Sequence, residues 1–343
     1  MMKVSITIPA HNEEEDILLT LEDLDRQINK DFEVIVVNNN STDGTIKIVQ
    51  DFSARASYPL KLLDEPQPGV GYARKKGADD AILRKIPILA GTDADCDIDP
   101  KWTNEIASSL ADTEVDAITG KLVWSLKRLS ITIEPLQNEV KRKLIELFKI
   151  NNIIVEHTLR KPLITGSNFA VKTGPYIKAG GFEQPQFEGK PAPLEDWGLG
   201  RGLNRLGYKT EFIKTNNPAN PRRMLDWLIA EHKPDLIYED VLTHIRTKDF
   251  IDRLNRVSDE RMAFRIRRVL LFHVFSPIIK RRVAKPEDAK FFLSNRLDEF
   301  ISDLQKEKIE TIDNIETRSK IMEKFLDKYS NDIGSRIRNS IKA

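Results

Sequence analysis

The sequence predicts an α/β protein with a mainly parallel sheet flanked by helices, on three observations. Short Val- and Ile-rich runs alternate with amphipathic helical stripes over residues 4–90. Segments with turn and cap chemistry separate them. The fourth apolar run ends in a cluster of carboxylates, at the strand end where open α/β sheets hold their ligands.

The elements follow in order. Val4–Ile8 is a β-branched strand leading into Pro9-Ala10-His11-Asn12. A helix is predicted from about Glu13 to Gln27, with Ile17, Leu18, Leu21 and Leu24 as its apolar stripe. Phe32–Val37 is the second strand, and Asn39-Asn40-Ser41-Thr42-Asp43-Gly44 supplies the turn before a helix over Thr45–Ala54. Leu60–Leu63 is the third strand. Gly69-Val70-Gly71 opens a third helix, and Ile86–Ala90 is the fourth strand. The glycine pair is only part of a dinucleotide fingerprint. The third glycine of G-x-G-x-x-G would fall at Arg74, and Pro66 and Pro68 separate the pair from the preceding strand.

Composition bounds the function. The chain has 343 residues, 40% hydrophobic and 31% charged, which suits one large domain plus an extension. A net charge of +1 gives no field that would draw nucleic acid. The single cysteine, Cys96, excludes an intramolecular disulfide framework and fits a reducing compartment. The opening Met1-Met2-Lys3-Val4-Ser5-Ile6 reads as a strand rather than a signal peptide, and no apolar run reaches the ~18 residues of a spanning helix. A cytoplasmic location is the expectation.

Asp93-Ala94-Asp95, directly after the fourth strand, puts two carboxylates at i and i+2. Hard cations such as Mg2+ or Mn2+ take such oxygens and usually arrive with substrate phosphates. Asp97 and Asp99 precede Pro100 and are read as caps for a helix that includes Trp102–Leu110.

Several motifs together resemble family 2 glycosyltransferases of the GT-A fold. Val4 through Glu14 is similar to the family's opening strand and loop, and Val36 through Thr45 to its second motif. Gly69 through Gly77 resembles its G-x-x-x-A-R-N-x-G helix, and Thr92-Asp93-Ala94-Asp95 its DxD. Thr165-Gly166-Ser167-Asn168-Phe169-Ala170 and Gly180-Gly181-Phe182 resemble acceptor-side motifs. Leu194-Glu195-Asp196-Trp197 with Leu206-Gly207-Tyr208 resembles the ED helix and its end. The match covers roughly residues 1–215. There are two departures. Asn38 and Asn39 stand where relatives carry an acid pair, one acid of which reads the nucleobase, and Lys75 replaces an Asn.

The resemblance implies an inverting, metal-dependent transferase. Its donor would be a nucleotide-diphospho-sugar, UDP-linked by expectation, and its acceptor a hydroxyl group on a glycan or lipid-linked substrate. Donor-binding candidates are Pro9, Ala10, Asn12, Glu14, Asn39, Arg74, Lys76, Asp93, Arg222 and Arg223. Acceptor-side candidates are Gly166, Ser167, Asn168 and Trp197. Asp93 and Asp95 are the metal candidates, Mn2+ or Mg2+ being the cofactor, with Asp95 the metal contact and Asp93 on the ribose or sharing the ion. His232 and His244 are candidates for a third ligand. The general base is Asp196, with Glu195 as neighbour and substitute; both stand in the first turn of a helix predicted over Leu194–Leu206, whose dipole favours a carboxylate. Arg222-Arg223 are expected in a loop after a strand over Thr210–Lys214.

The transferase domain is expected over 1–245 and a helical extension over 246–343. Phe291–Leu304 and Ile312–Tyr329 carry helical stripes that would pack against a domain or form a dimer contact. Residues 246–285 hold twelve Lys or Arg against four acids around Val269–Ile279, which suits either an interfacial helix on an anionic membrane or a core helix with solvated ends. Two rival functions remain: a catalytically silent GT-A-fold binding or assembly protein, and a nucleotidyltransferase. The second is weakened by the glycine-free, acidic loop Pro9–Glu13.

Overall fold

In a computed structural model of the chain, the described residues are 3–157, 162, 164–187, 189–191, 195–229, 250–259, 262, 293, 296–307, 320, 321, 324, 325 and 327–329. Among them the elements run β1 (Val4–Ala10), α1 (Ile17–Asp25), β2 (Phe32–Asn38), α2 (Thr45–Ser53), β3 (Leu60–Asp64), α3 (Val70–Leu83), β4 (Ile88–Gly91), α4 (Trp102–Ala111) and β5 (Ala117–Thr119). Next come α5 (Leu126–Thr132), α6 (Asn138–His157), β6 (Phe169–Lys172), α7 (Thr173–Lys178), β7 (Gln186–Phe187), β8 (Lys190–Pro191), α8 (Glu195–Arg205) and β9 (Thr210–Phe212). The last are α9 (Arg222–Ile229), α10 (Phe250–Asn255) and α11 (Leu297–Lys306). The described residues form two compact units, one of Met1–Ser125 with Pro162–Asn220, the other of Leu126–Lys161 with those from Pro221 onward. The domain boundary expected at 245 lies outside the described residues.

The first unit is the α/β domain that the alternating pattern predicts. Its seven strands are ordered β3-β2-β1-β4-β6-β5-β9. β3, β2, β1 and β4 are mutually parallel; β6 runs antiparallel to both β4 and β5, and β9 is parallel to β5. Strand β2 explains the layering. Every residue in it is buried. Val34 and Val36 enter a core shared with Ile17, Leu21 and Leu24 of α1, Val49 and Phe52 of α2, and Trp102 and Ile106 of α4. Ile35 and Val37 enter the opposite core, with Ala73, Ala78 and Ala81 of α3 and Leu199 and Leu203 of α8. A strand covered on both faces needs the continuous apolar run seen in the sequence. Helix α3 lies close on β1 because Gly77 faces Thr7; a Cβ there would stand 2.4 Å from Thr7 Cγ2.

The sheet also holds what the sequence pattern did not predict. The acceptor-side motif Ser167-Asn168-Phe169 delivers the antiparallel strand β6, inserted between β4 and β5. Asp97 is no cap: its carboxylate takes the Ser125 hydroxyl. Asp99 does not cap α4 either, since the N-cap residue is Lys101 with no side-chain cap; its Oδ1 accepts Lys101 N–H at 2.8 Å and its carbonyl accepts Trp102 N–H at 2.9 Å, which shapes the turn into the helix.

Among its described residues the regular elements of the second unit are all helices. Helices α5 and α6 fall where no element was expected, and α6 buries Leu144, Leu147, Phe148 and Ile154 at helical spacing. The two C-terminal stripes are helical where described. Phe300 of α11 meets Phe325 and Tyr329 edge to face, at centroid distances of 5.4 and 5.3 Å, and the Tyr329 hydroxyl donates to Asp303 at 2.8 Å. The basic segment around Val269–Ile279, with His232 and His244, lies outside the described residues. Among the described residues no helix is long and apolar enough to cross a membrane.

Candidate active site

The chain runs from β1 to β2 and β3 on one side of the sheet, then crosses to β4 on the other side of β1. The carboxyl ends of β1 and β4 therefore flank a topological switch point, where α/β sheets bind ligands. Four segments meet at this edge: the turns after β1, β2 and β4, and the start of α3.

The turns after β1 and β2 are laced together. Asn12, with a left-handed φ of 54°, accepts Thr42 N–H on its Oδ1 at 2.8 Å, and Glu14 Oε2 accepts Gly44 N–H at 2.7 Å. Pro9 and Ala10 are in the ladder with Val37 and Asn38. Asn39 then braces the approach to α3. Its Nδ2 donates to the carbonyls of Glu65 and Gln67 at 2.8 and 2.7 Å, and its Oδ1 accepts Gly69 N–H at 2.9 Å. Both amide hydrogens are thus spent on the β3–α3 turn. Asn38 likewise donates to Asp64 Oδ1 at 2.8 Å and accepts Ser41 N–H at 3.1 Å. The Asn pair is a scaffold feature: a carboxylate at 39 would have two carbonyls facing it and nothing to donate.

After β4, Asp93 and Asp95 stand with Cys96 so that one ligand atom of each lies within 4.8 Å of the others. The loop is held from beneath. Asn220 N–H donates to Asp95 O at 2.9 Å, Asp97 N–H donates to Pro218 O at 2.9 Å, and Cys96 bridges Ala219. The two carboxylates fit a hard cation. Cys96 does not, because burial and then the adjoining Asp93 and Asp95 push its thiol well up, leaving it neutral.

Arg74 joins this loop to α8. Only 2% exposed, it donates from Nε to Glu195 Oε1 at 3.0 Å and from Nη2 to Asp93 Oδ1. Burial works against its charge, but Asp93, Glu195 and Asp196 outweigh that and raise its pKa. Asp196 is half-buried in the first turn of α8; its Oδ2 accepts Gly166 N–H at 2.8 Å and its Oδ1 accepts Trp197 N–H at 2.8 Å. Burial, then repulsion from Glu195, pushes its carboxyl up to about 7, against the pull of the Gly166 amide and Arg74. Such a group exchanges protons at neutral pH, which suits a general base.

The remaining candidates divide. Trp197 is 42% exposed, beside Asp196. Gly166 packs on Arg74, and Ser167 is buried with its carbonyl accepting the Thr92 hydroxyl at 2.9 Å. Asn168, expected to face an acceptor, is fully buried and spent: Oδ1 accepts Trp102 Nε1–H at 2.8 Å and Nδ2 donates to Thr215 O at 2.9 Å. Lys76 is exposed, two residues from Arg74 and so roughly 200° around α3, away from the cluster. Lys75 pairs with Asp79 rather than adding charge at the site. Arg222 and Arg223 open helix α9 of the second unit instead of lying in a loop. Glu195 is buried as the partner of Arg74, which the acid-pair reading did not anticipate. Gln184, whose Oε1 accepts Gly71 N–H at 2.8 Å, carried no sequence signal beyond its place after Gly180-Gly181-Phe182.

The model of the family described as glycosyl transferase family 2 matches residues 5–158. Over those residues the chain is similar to family 2 glycosyl transferases. The matched span runs from β1 to the last residues of α6, so the Asp93–Asp95 loop lies inside it and Glu195–Asp196 beyond it. Among curated proteins, the chain is 33% identical to Glycosyltransferase AglE of Haloferax volcanii over 124 residues, 36% of this chain and 40% of that protein. It is 28% identical to Probable glycosyltransferase YdaM of Bacillus subtilis over 228 residues, 62% of this chain and 49% of that protein. The chain thus spans half or less of these relatives' length. Among solved structures it is similar to S. aureus TarS 1–349, with 16% identity, 98% of this chain and 89% of that one covered, and a TM-score of 0.48. The mannosyltransferase PcManGT of Pyrobaculum calidifontis, solved with GDP-Man and Mn2+, has 16% identity, coverage of 99% and 86%, and a TM-score of 0.48.

Proposed function

We propose that this family 2-like domain makes the chain an inverting glycosyltransferase, moving a sugar from a nucleotide-diphospho-sugar, UDP-linked first among candidates, to a hydroxyl acceptor. One observation carries the reading: Asp196, with its carboxyl raised to about 7, is anchored on the Gly166 amide, and its neighbour Glu195 is joined through Arg74 to Asp93 of the Asp93–Asp95 loop. A base and a pair of hard oxygen ligands suit the displacement of a diphosphate by an alcohol.

In this reading Asp196 takes the acceptor hydroxyl proton as the oxygen attacks the anomeric carbon, on the face opposite the leaving diphosphate. Asp95 and the exposed side of Asp93 would hold Mn2+ or Mg2+, which would supply Lewis-acid stabilisation of the charge growing on the diphosphate. The turns after β1 and β2 form the donor's nucleoside wall, with Asn39 setting the turn rather than reading the base by a carboxylate. Trp197 offers an apolar face to an acceptor beside the base.

The acceptor class, a glycan or a lipid-linked glycan, belongs to the same proposal. So do work at the cytoplasmic membrane face, a 1–245 transferase domain and a 246–343 extension that contacts membrane or a second copy. Donor turnover with a panel of nucleotide sugars tests the core reading. Hydrolysis or transfer of one donor is the expected result; turnover of none leaves a binding protein.

A further inference from the structure

We infer that Arg74 is a positioning residue: clamped between Asp93 and Glu195 and packed on Gly166, its guanidinium sets where the Asp196 carboxylate stands relative to the Asp93–Asp95 pair. The inference rests on the reading of Asp196 as the base. It departs from a donor-binding role for Arg74.

The geometry leaves little room for another role. Two of the three guanidinium nitrogens, Nε and Nη2, are committed to acids from two different segments, the β4 turn and the first turn of α8. A planar fork can hold two carboxylates at a fixed separation, which a lysine cannot. Gly166 closes the arrangement. A Cβ at that position would stand 2.3 Å from Arg74 Nη2 and 2.8 Å from its Cζ. The same glycine donates its N–H to Asp196. Phe182 lies under the guanidinium with its ring centroid 6.0 Å from Cζ. Arg74 is therefore fixed on four sides, and each contact except Phe182 leads to a group of the proposed reaction. Its Nη1 is buried and makes no hydrogen bond, so the two N–H groups of that nitrogen are left unsatisfied while Nε and Nη2 hold the two acids. Glu195 in turn is the buried counter-ion that orients Arg74, not a second base.

Three variants test this: Arg74→Lys, Gly166→Ala, and Arg74→Met/Glu195→Gln, the last removing both buried charges so that neither is left unpaired. The readouts are the crystal structure, the affinity for UDP and for GDP with Mn2+, and the kcat and donor KM on whichever nucleotide sugar the wild type turns over. The expected result for Arg74→Lys and Gly166→Ala is an Asp196 carboxylate displaced by ~1 Å or more. It should come with a kcat loss of about 10²-fold and with nucleotide affinity and donor KM within about threefold. Arg74→Met/Glu195→Gln should fold and show the same split. Nucleotide affinity weakened about tenfold with kcat retained would make Arg74 a donor ligand and overturn the inference. An Asp196 that does not move in any variant would overturn it as well. Failure of the transferase reading is distinguishable, because it appears as a wild type without turnover, while the displacement of Asp196 is still read from the structures.

Discussion

Gly166 serves Arg74 and Asp196 at once: its missing side chain admits the Arg74 guanidinium, and its amide donates to Asp196 Oδ2 at 2.8 Å. A single residue of the turn before β6 therefore adjoins both the buried cation and the proposed base.

Replacing the base should separate chemistry from binding. Asp196→Asn keeps a carbonyl for the Gly166 amide but cannot take a proton. We expect kcat to fall by about 10²–10⁴-fold with nucleotide affinity unchanged. Steady-state kinetics and calorimetric titration of UDP check this. A loss confined to nucleotide affinity would put Asp196 in the donor site.

The raised Asp196 carboxyl also makes stability depend on pH, with a definite sign. Burial and Glu195 lift it from 3.8 to about 7, so between those values the folded state holds a proton that the unfolded state has lost. Its stabilising contribution is complete below the unfolded pKa and declines as pH rises through about 7. Asp196→Asn removes this dependence, so the wild type should lose melting temperature relative to the variant between about pH 4 and about pH 7. In the same window kcat should rise with pH as the base ionises. A wild type that instead gains on the variant with rising pH would mean that the Gly166 amide and Arg74 dominate.

Asn39 gives a prediction about the scaffold. Asn39→Asp replaces two donors by an acceptor facing the carbonyls of Glu65 and Gln67, and should cost about 1–3 kcal/mol in urea unfolding. If a carboxylate at 39 were tolerated and tightened UDP binding, the side chain would be a base reader and not a brace.

This site shows how much of the molecule could be read from residue order, and where that reading stopped. β2 and β4 were legible because a strand buried on both faces carries a continuous apolar run, Val34–Val37 in β2 and Ile88–Ala90 in β4, and the Asp93–Asp95 loop because polar residues interrupt such a run at its end. Strand β6 was not, since Phe169–Lys172 is only four residues long and its partners, β4 and β5, lie about 50 to 80 residues earlier in the chain. Asn168 and Arg74 were recognised as notable, but their partners could not be. Asn168 meets Trp102 and Thr215, and Arg74 meets Glu195 across 121 residues, pairings that only tertiary packing creates. Lys76 was read from its charge alone, and its position around α3, two residues from Arg74, leaves it exposed.

Metal dependence follows from the Asp93–Asp95 pair. EDTA should abolish turnover, and Mn2+ or Mg2+ should restore it. Asp95→Ala should remain folded yet lose activity, as circular dichroism and a turnover assay would report. Full activity in EDTA with metal absent by elemental analysis would remove the cation from the account.

The most direct measurement is transfer itself: the wild type and Asp196→Asn, each incubated with Mn2+ and a panel of UDP- and GDP-sugars, with release of nucleoside diphosphate followed over time. Turnover of a nucleotide sugar by the wild type, lowered about 10²-fold or more in Asp196→Asn at equal nucleotide affinity, is the predicted result. Equal turnover by the two proteins would contradict the assignment of Asp196, and turnover of no donor by a wild type that still binds nucleotide would contradict the transferase reading.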